Sequence, residues 1–196
     1  CGRRNSRAAA DAAGDAFAAE HAMNQPQPAD DLAERIRRWH IPLSRGALTM
    51  REGLVELSAL GLKQDEVPFL VQLVENPRYD FPGLELFSGA VDLATHDRIH
   101  LLLGRGLLPK DEAFVIGFTM GSTDRVGQSE ERLFGFFAKY LYPKAYRFSD
   151  DDLRVFRDAV RLGFVSDSQP LSEADLERVA DLPLCEARRA LGIEED

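Results

Sequence analysis

The sequence predicts an all-α protein, a compact single-domain helical bundle of about seven to eight helices, each of roughly two to three turns. Three observations carry that prediction. No run alternates apolar and polar residues with the period of a strand. Val and Ile, which strands favour, are sparse. Helix start and stop signals punctuate the chain from Asp30 onward.

The elements follow in order. Residues 1–29 read as a flexible tail. Its Ala-rich stretch holds one Phe and little else to bury, and a lone helix of that length is marginal in water. Asn24-Gln25-Pro26-Gln27-Pro28 reads as a linker, so the helical domain spans residues 30–196. Asp30 or Asp31 caps a helix running to Trp39. Thr49-Met50-Arg51-Glu52 is a capping box before an apolar run that ends at Gly61. Residues 64–75 place Val67, Leu70, Val71 and Val74 at helical spacing. Asn76-Pro77 stops them, and Asp80-Phe81-Pro82-Gly83 turns the chain. The next helix is expected from Leu84 to Leu103, ended by Gly104-Arg105-Gly106. Pro109 suits the first turn of its successor, which continues to Gly121. Another runs from Ser129 to Leu141 and is stopped by Pro143. Ser149-Asp150-Asp151-Asp152 and Ser172-Glu173-Ala174-Asp175 are further capping boxes, each expected to open a charged amphipathic helix.

Composition excludes some functions. A net charge of −9 repels phosphate backbones, so no nucleic-acid partner is expected. Arg35, Arg37 and Arg38 read as a solvated helix face. Cys1 and Cys185 stand at opposite ends with no Cys-x-x-Cys pair, so a reducing compartment is the default. The longest uncharged run, Ala113 to Thr123, has eleven residues, against ~20 for a membrane span. The expected location is cytoplasmic or peripheral to a membrane. Cys1-Gly2 also matches the start of a mature lipoprotein anchored through that cysteine.

The chemistry concentrates in one predicted helix. Thr95-His96-Asp97-Arg98-Ile99-His100 holds two of the chain's four histidines. At about 100° per residue, His96, His100 and Asp97 share a sector with Leu86, Ala90 and Leu93, while Asp92, Thr95 and Arg98 lie elsewhere. That sector is the apolar one, and Leu101, Leu102 and Leu103 make the helix end apolar nearly all round. Burying two imidazoles and a carboxylate is costly unless they pair or bind a cation. Histidines one turn apart can reach one ion. Asp97 would be a third ligand, or an acceptor that orients a histidine. The same residues can also form a hydrogen-bonded network without metal. Glu112 favours the metal. It lies in the first turn of the next helix, and helices joined by a short loop pack antiparallel. A carboxylate there also complements the helix dipole.

His96-Asp97-x-x-His100, eleven residues, then Glu112, with Leu102-Leu103-Gly104 between, resembles the signature of the coenzyme Q biosynthesis protein four family. Leu191-Gly192-Ile193 resembles a Leu-Gly-Ile near the end of many members. The resemblance covers about residues 84–121. One departure is Lys110-Asp111-Glu112, where many members have Leu-Gly-Glu. The resemblance implies an all-helical protein of ubiquinone biosynthesis whose His96, Asp97, His100 and Glu112 bind zinc or another divalent metal. It implies as partners a prenylated quinone precursor or other isoprenoid lipid, and other quinone-biosynthesis proteins. For some members it implies oxidative decarboxylation of a ring carbon. Two imidazoles and two carboxylates, without a thiolate, suit Zn²⁺ and also Fe²⁺ or Mn²⁺. Three ligands would leave a position for water or substrate; four would close the site.

An apolar ligand needs an apolar groove. Candidates are Phe114, Phe118 and Met120, then Phe134, Phe136, Phe137 and Tyr140, although core packing would explain them too. Gly117 and Gly121 would admit a second helix or a chain of isoprene units. Leu107-Leu108-Pro109 is a candidate tip for peripheral membrane contact or a partner. His40 reads as a cation at a helix C-terminus. There is no P-loop and no G-x-S-x-G elbow. Two other classes stay open: a metal-dependent hydrolase, which needs a pocket lined by Arg or Lys, and a non-catalytic interaction protein. A homodimer is among the expected assemblies.

Overall fold

The computed structural model describes residues 34–60 and 87–193. The expected tail, linker, Asp30/Asp31 cap, Gly61 stop, helix over 64–75 and turn at 80–83 lie outside the described residues. The chain divides into the units Cys1–Arg35 and Ile36–Asp196, and the elements that follow belong to the second. Among the described residues the structure is all-α. Its one extended pairing is an isolated antiparallel bridge between Thr49 and Pro183.

Local chemistry sets most helix ends. Helix α1 spans Met50–Ser58 behind the expected capping box. The Glu52 amide donates to Thr49 Oγ1 at 3.2 Å, and the Thr49 amide donates to the Glu52 carboxylate at 2.9 Å. Helix α2 spans Leu93–Leu103 and so begins at Leu93 rather than Leu84. The reason is Asp92, whose carboxylate accepts the Thr95 amide at 2.8 Å and caps the helix. Ala90 is therefore not on the α2 face, and Leu86 lies outside the described residues. Helix α3 runs Pro109–Gly121 with Pro109 in its first turn, as expected. Helix α4, Gln128–Phe136, continues as one π-helical segment, Phe137–Leu141, before Pro143 stops it.

The two later capping boxes part company. Ser149 caps helix α5, Asp150–Val165, with Asp152 returning the second bond. Ser172 caps nothing. The Glu173 and Ala174 amides both donate to the Pro170 carbonyl at 3.0 Å, which places Ser172 inside a turn. Only a 3₁₀ turn, Leu176–Val179, follows it. Helix α6, Leu184–Ala190, has no counterpart among the expected helices. Its end explains Leu191-Gly192-Ile193 locally: the Ile193 amide donates to the Arg188 carbonyl at 2.9 Å, as in a Schellman stop.

After its charged first turn, helix α3 is apolar nearly all round and stands between two hydrophobic clusters. Val115 and Phe118 join Met50, Ile99, Leu101 and Leu184 on one side. Ala113 and Met120 join Phe87, Phe134 and Phe156 on the other. Helix α5 crosses α3 closely enough that a Cβ on Gly117 would meet the Phe156 carbonyl at 2.4 Å. One on Gly121 would meet the Val160 carbonyl at 2.1 Å. Of the two readings of these glycines, a second helix or a chain of isoprene units, the crossing with α5 is the helix. No helix among the described residues is long and apolar enough to cross a membrane.

Candidate metal centre

Helices α2 and α3 form a corner whose geometry comes from its loop. Gly104 ends α2 in the left-handed conformation at φ 61°, which a side chain would disfavour. His40 Nε2 donates to the Gly104 carbonyl at 2.9 Å, so this histidine anchors the corner instead of serving its own helix end. The Leu108 carbonyl then accepts the Asp111 and Glu112 amides at 2.8 and 3.0 Å, opening α3. Glu112 is thereby turned back onto α2.

Three of the four predicted ligands converge there. Glu112 Oε2 lies 3.5 Å from His96 Nε2 and 3.4 Å from His100 Nε2. The two rings sit 4.6 Å apart, edge to face. One ligand atom from each residue lies within 4.8 Å of the others, a group that can hold a metal ion. Asp97 is not part of that group. It is half-buried on the same helix, and its charge acts on His100.

The fit to a cation can be tested on these atoms. His100 is fully buried, yet neither of its ring nitrogens makes a well-formed hydrogen bond, and nor does His96 Nε2; the Glu112 carboxylate is the acid they face. The 3.4–3.5 Å separations exceed ordinary hydrogen bonds. Each orphaned buried polar group costs about 1–3 kcal/mol. Donors bound about 2.0–2.1 Å from one tetrahedral ion stand about 3.3–3.4 Å apart, close to the separations seen. The residues therefore fit a shared divalent cation. The Glu112 side chain is 30% exposed, so the group remains open to the outside.

Electrostatics support the same view. Burial, then the charge of His100, pushes the His96 imidazole down to about 4, against the pull of Glu112. His96 is therefore neutral near pH 7 and its nitrogen free to coordinate. Burial also disfavours charge on His100, but the Glu112 carboxylate outweighs it, and the His100 pKa is raised. Burial opposes charge on Glu112 too, yet His100 holds its pKa below the usual carboxylate value. Burial raises Asp97 to about 6.

A narrow apolar cleft ends at His96. Phe87, Val91, Ile116, Met120 and Phe134 line it, and no Arg or Lys is among its lining residues. Of the groove candidates, Met120 and Phe134 are in this wall, whereas Phe118 belongs to the core. Phe137 packs against Phe87, and Phe114 lies under the Arg105 guanidinium at 3.7 Å. Phe136 and Tyr140 face outward.

Sequence reasoning missed Arg188. Its side chain is fully buried. Its Nε donates to the Leu102 carbonyl at 2.7 Å, Nη2 to Leu101 at 3.2 Å and Nη1 to Leu43 at 3.2 Å. It holds C-terminal carbonyls of α2, which a helix leaves open. In Cys185-Glu186-Ala187-Arg188-Arg189 it looks like any solvated helix charge.

Fold and site together define a helical protein with a partly buried His–His–Glu group that can hold a metal ion. Comparisons with protein-family models, curated proteins and solved structures give no match to this chain.

Proposed function

We propose that the protein holds a divalent metal at His96, His100 and Glu112, with Asp97 beside them, and presents it to a prenylated quinone precursor. In this reading it binds or modifies that molecule, or scaffolds the quinone-biosynthesis proteins that do, in the cytoplasm or at a membrane periphery. The observation that carries it is the set of buried imidazole nitrogens without well-formed hydrogen bonds around one carboxylate. The small cleft beside His96 has mostly apolar walls and no Arg or Lys among its described lining residues, which gives the hydrolase reading less support. The motif's resemblance to the coenzyme Q biosynthesis protein four family supports the prenylated ligand. Zn²⁺ suits this donor set best, with Fe²⁺ and Mn²⁺ next. When bound, such an ion polarises a phenol or carbonyl oxygen.

The test is metal analysis by mass spectrometry on protein purified without a metal-affinity tag. About one equivalent is expected in the wild type and little in His96→Ala, His100→Ala or Glu112→Ala, each still helical by circular dichroism. A wild type without metal, and with no uptake on titration, would sink the reading. Binding of a prenylated hydroxybenzoate by the loaded protein then tests the ligand class.

A further inference from the structure

We propose that the outer face of α4 and its π-helical extension is a seat for the surface of an anionic lipid bilayer. Two independent observations carry this. The first is exposure: Leu133, Phe136, Tyr140 and Leu141 are 45, 51, 56 and 42% accessible. They follow one another at about helical spacing, and the Phe136 and Tyr140 rings lie 5.4 Å apart. Phe134 and Ala138, on the opposite side, are buried. Scattered apolar residues on a surface need no explanation, but a contiguous stripe does.

The second observation is charge. From Arg132 to Ser149 the chain holds four cations, Arg132, Lys139, Lys144 and Arg147, and no acid, although the whole chain carries −9. Lys139 is paired with Asp150. Among the described residues, Arg132 and Lys144 have no acidic partner. The acids nearest in sequence are engaged elsewhere: Glu130 accepts the Ser88 amide, and Glu131 faces Arg157 at 3.9 Å. Aromatic and aliphatic side chains beside unpaired cations are the composition of an interfacial helix. A protein this acidic has no general attraction to an anionic surface, so any binding must come from a local face.

If the proposed function holds, the placement deepens it: Phe134 and His96 line one cleft, so α4 would stand between the bilayer and that cleft. The test itself needs neither metal nor substrate, and its outcome is independent of the metal centre.

The full chain is floated with vesicles of phosphatidylcholine, alone or mixed with phosphatidylglycerol. Wild type is expected to float with the mixed vesicles and to be released by salt. Phe136→Asp with Tyr140→Asp should reduce the bound fraction at least about tenfold, and Arg132→Glu with Lys144→Glu should do likewise. Arg178→Glu with Arg189→Glu, the same charge change on exposed residues elsewhere, should leave binding within about twofold of wild type. All these sites are exposed, and circular dichroism checks each fold. The proposal is overturned if wild type stays in solution with mixed vesicles, or if the stripe variants bind as wild type does. Self-association lost in Phe136→Asp with Tyr140→Asp, without vesicle binding, would assign the face to a second copy of the chain and overturn it too.

Discussion

Two buried polar side chains touch helix α2, and they are treated oppositely. Arg188 and His100 are both fully buried. Arg188 donates to three carbonyls, two of them the open C-terminal carbonyls of α2. His100, on a face of the same helix, makes no well-formed hydrogen bond: Nε2 meets the Glu112 carboxylate only at 3.4 Å. Burial therefore does not distinguish a structural residue from a functional one here; satisfaction does. A satisfied buried charge fixes the fold. An unsatisfied one destabilises it unless something outside the chain completes the site.

The largest effect expected from this contrast is at Arg188. Arg188→Met keeps much of the volume and removes every donor. Three carbonyls lose a hydrogen bond, at least two of them inside the core, which should cost about 3–5 kcal/mol. Urea denaturation measures it. A loss below about 1 kcal/mol would mean that the guanidinium is not holding α2.

His100→Leu should behave differently. In chelator-treated protein above the folded His100 pKa, where the ring is neutral and its ion pair with Glu112 is gone, it removes two nitrogens that lack a well-formed hydrogen bond, and stability should change by less than about 1 kcal/mol or rise. With metal at about 100 to 1,000 times its dissociation constant, wild type should gain roughly 2.7–4.1 kcal/mol, and the variant nothing. The pH dependence sharpens the difference. His100 has a raised folded pKa, so its pairing with Glu112 stabilises metal-free protein fully below the unfolded histidine value. That contribution is lost as pH rises through the folded pKa. His96 and Asp97 titrate lower, near 4 and 6, and leave this window to His100. Metal competes with the same proton, so its stabilisation grows as pH rises. As pH rises from the unfolded histidine value, about 6.5, through the raised folded pKa of His100, metal-free and loaded protein should show slopes of opposite sign. Parallel slopes would break the assignment of His100 as a ligand.

What the sequence made legible follows the same division. Thr49, Ser149 and Pro109 act within a turn of themselves, so their helices begin where local chemistry says. The spacing of His96, His100 and Glu112 was legible because one helix and one short loop fix it. Asp92 was misread as a helix-face residue because capping and solvation look alike in a polar position. Phe134 and Phe136 are the same residue two positions apart, and tertiary packing against Phe87, Phe148 and Phe156 decides which is buried. Arg188 was invisible because its partners are 86, 87 and 145 residues away in the chain.

The smallest expected effect tests the contrast outside the site. Ser149 and Ser172 read identically, each three residues before an Asp. Ser149 Oγ accepts the Asp152 amide at 3.2 Å, and the Asp152 carboxylate accepts the Ser149 amide at 2.8 Å. Ser172 sits within a turn made by Pro170. Ser149→Ala should therefore cost about 1 kcal/mol, the value of a lost helix cap. Ser172→Ala should stay within about 0.5 kcal/mol of wild type, like most surface changes. Equal losses in urea would show that the residue type, and not its hydrogen bonds, sets the cost. The inference from orphaned nitrogens to a metal would weaken with it, because both rest on counting partners rather than residues.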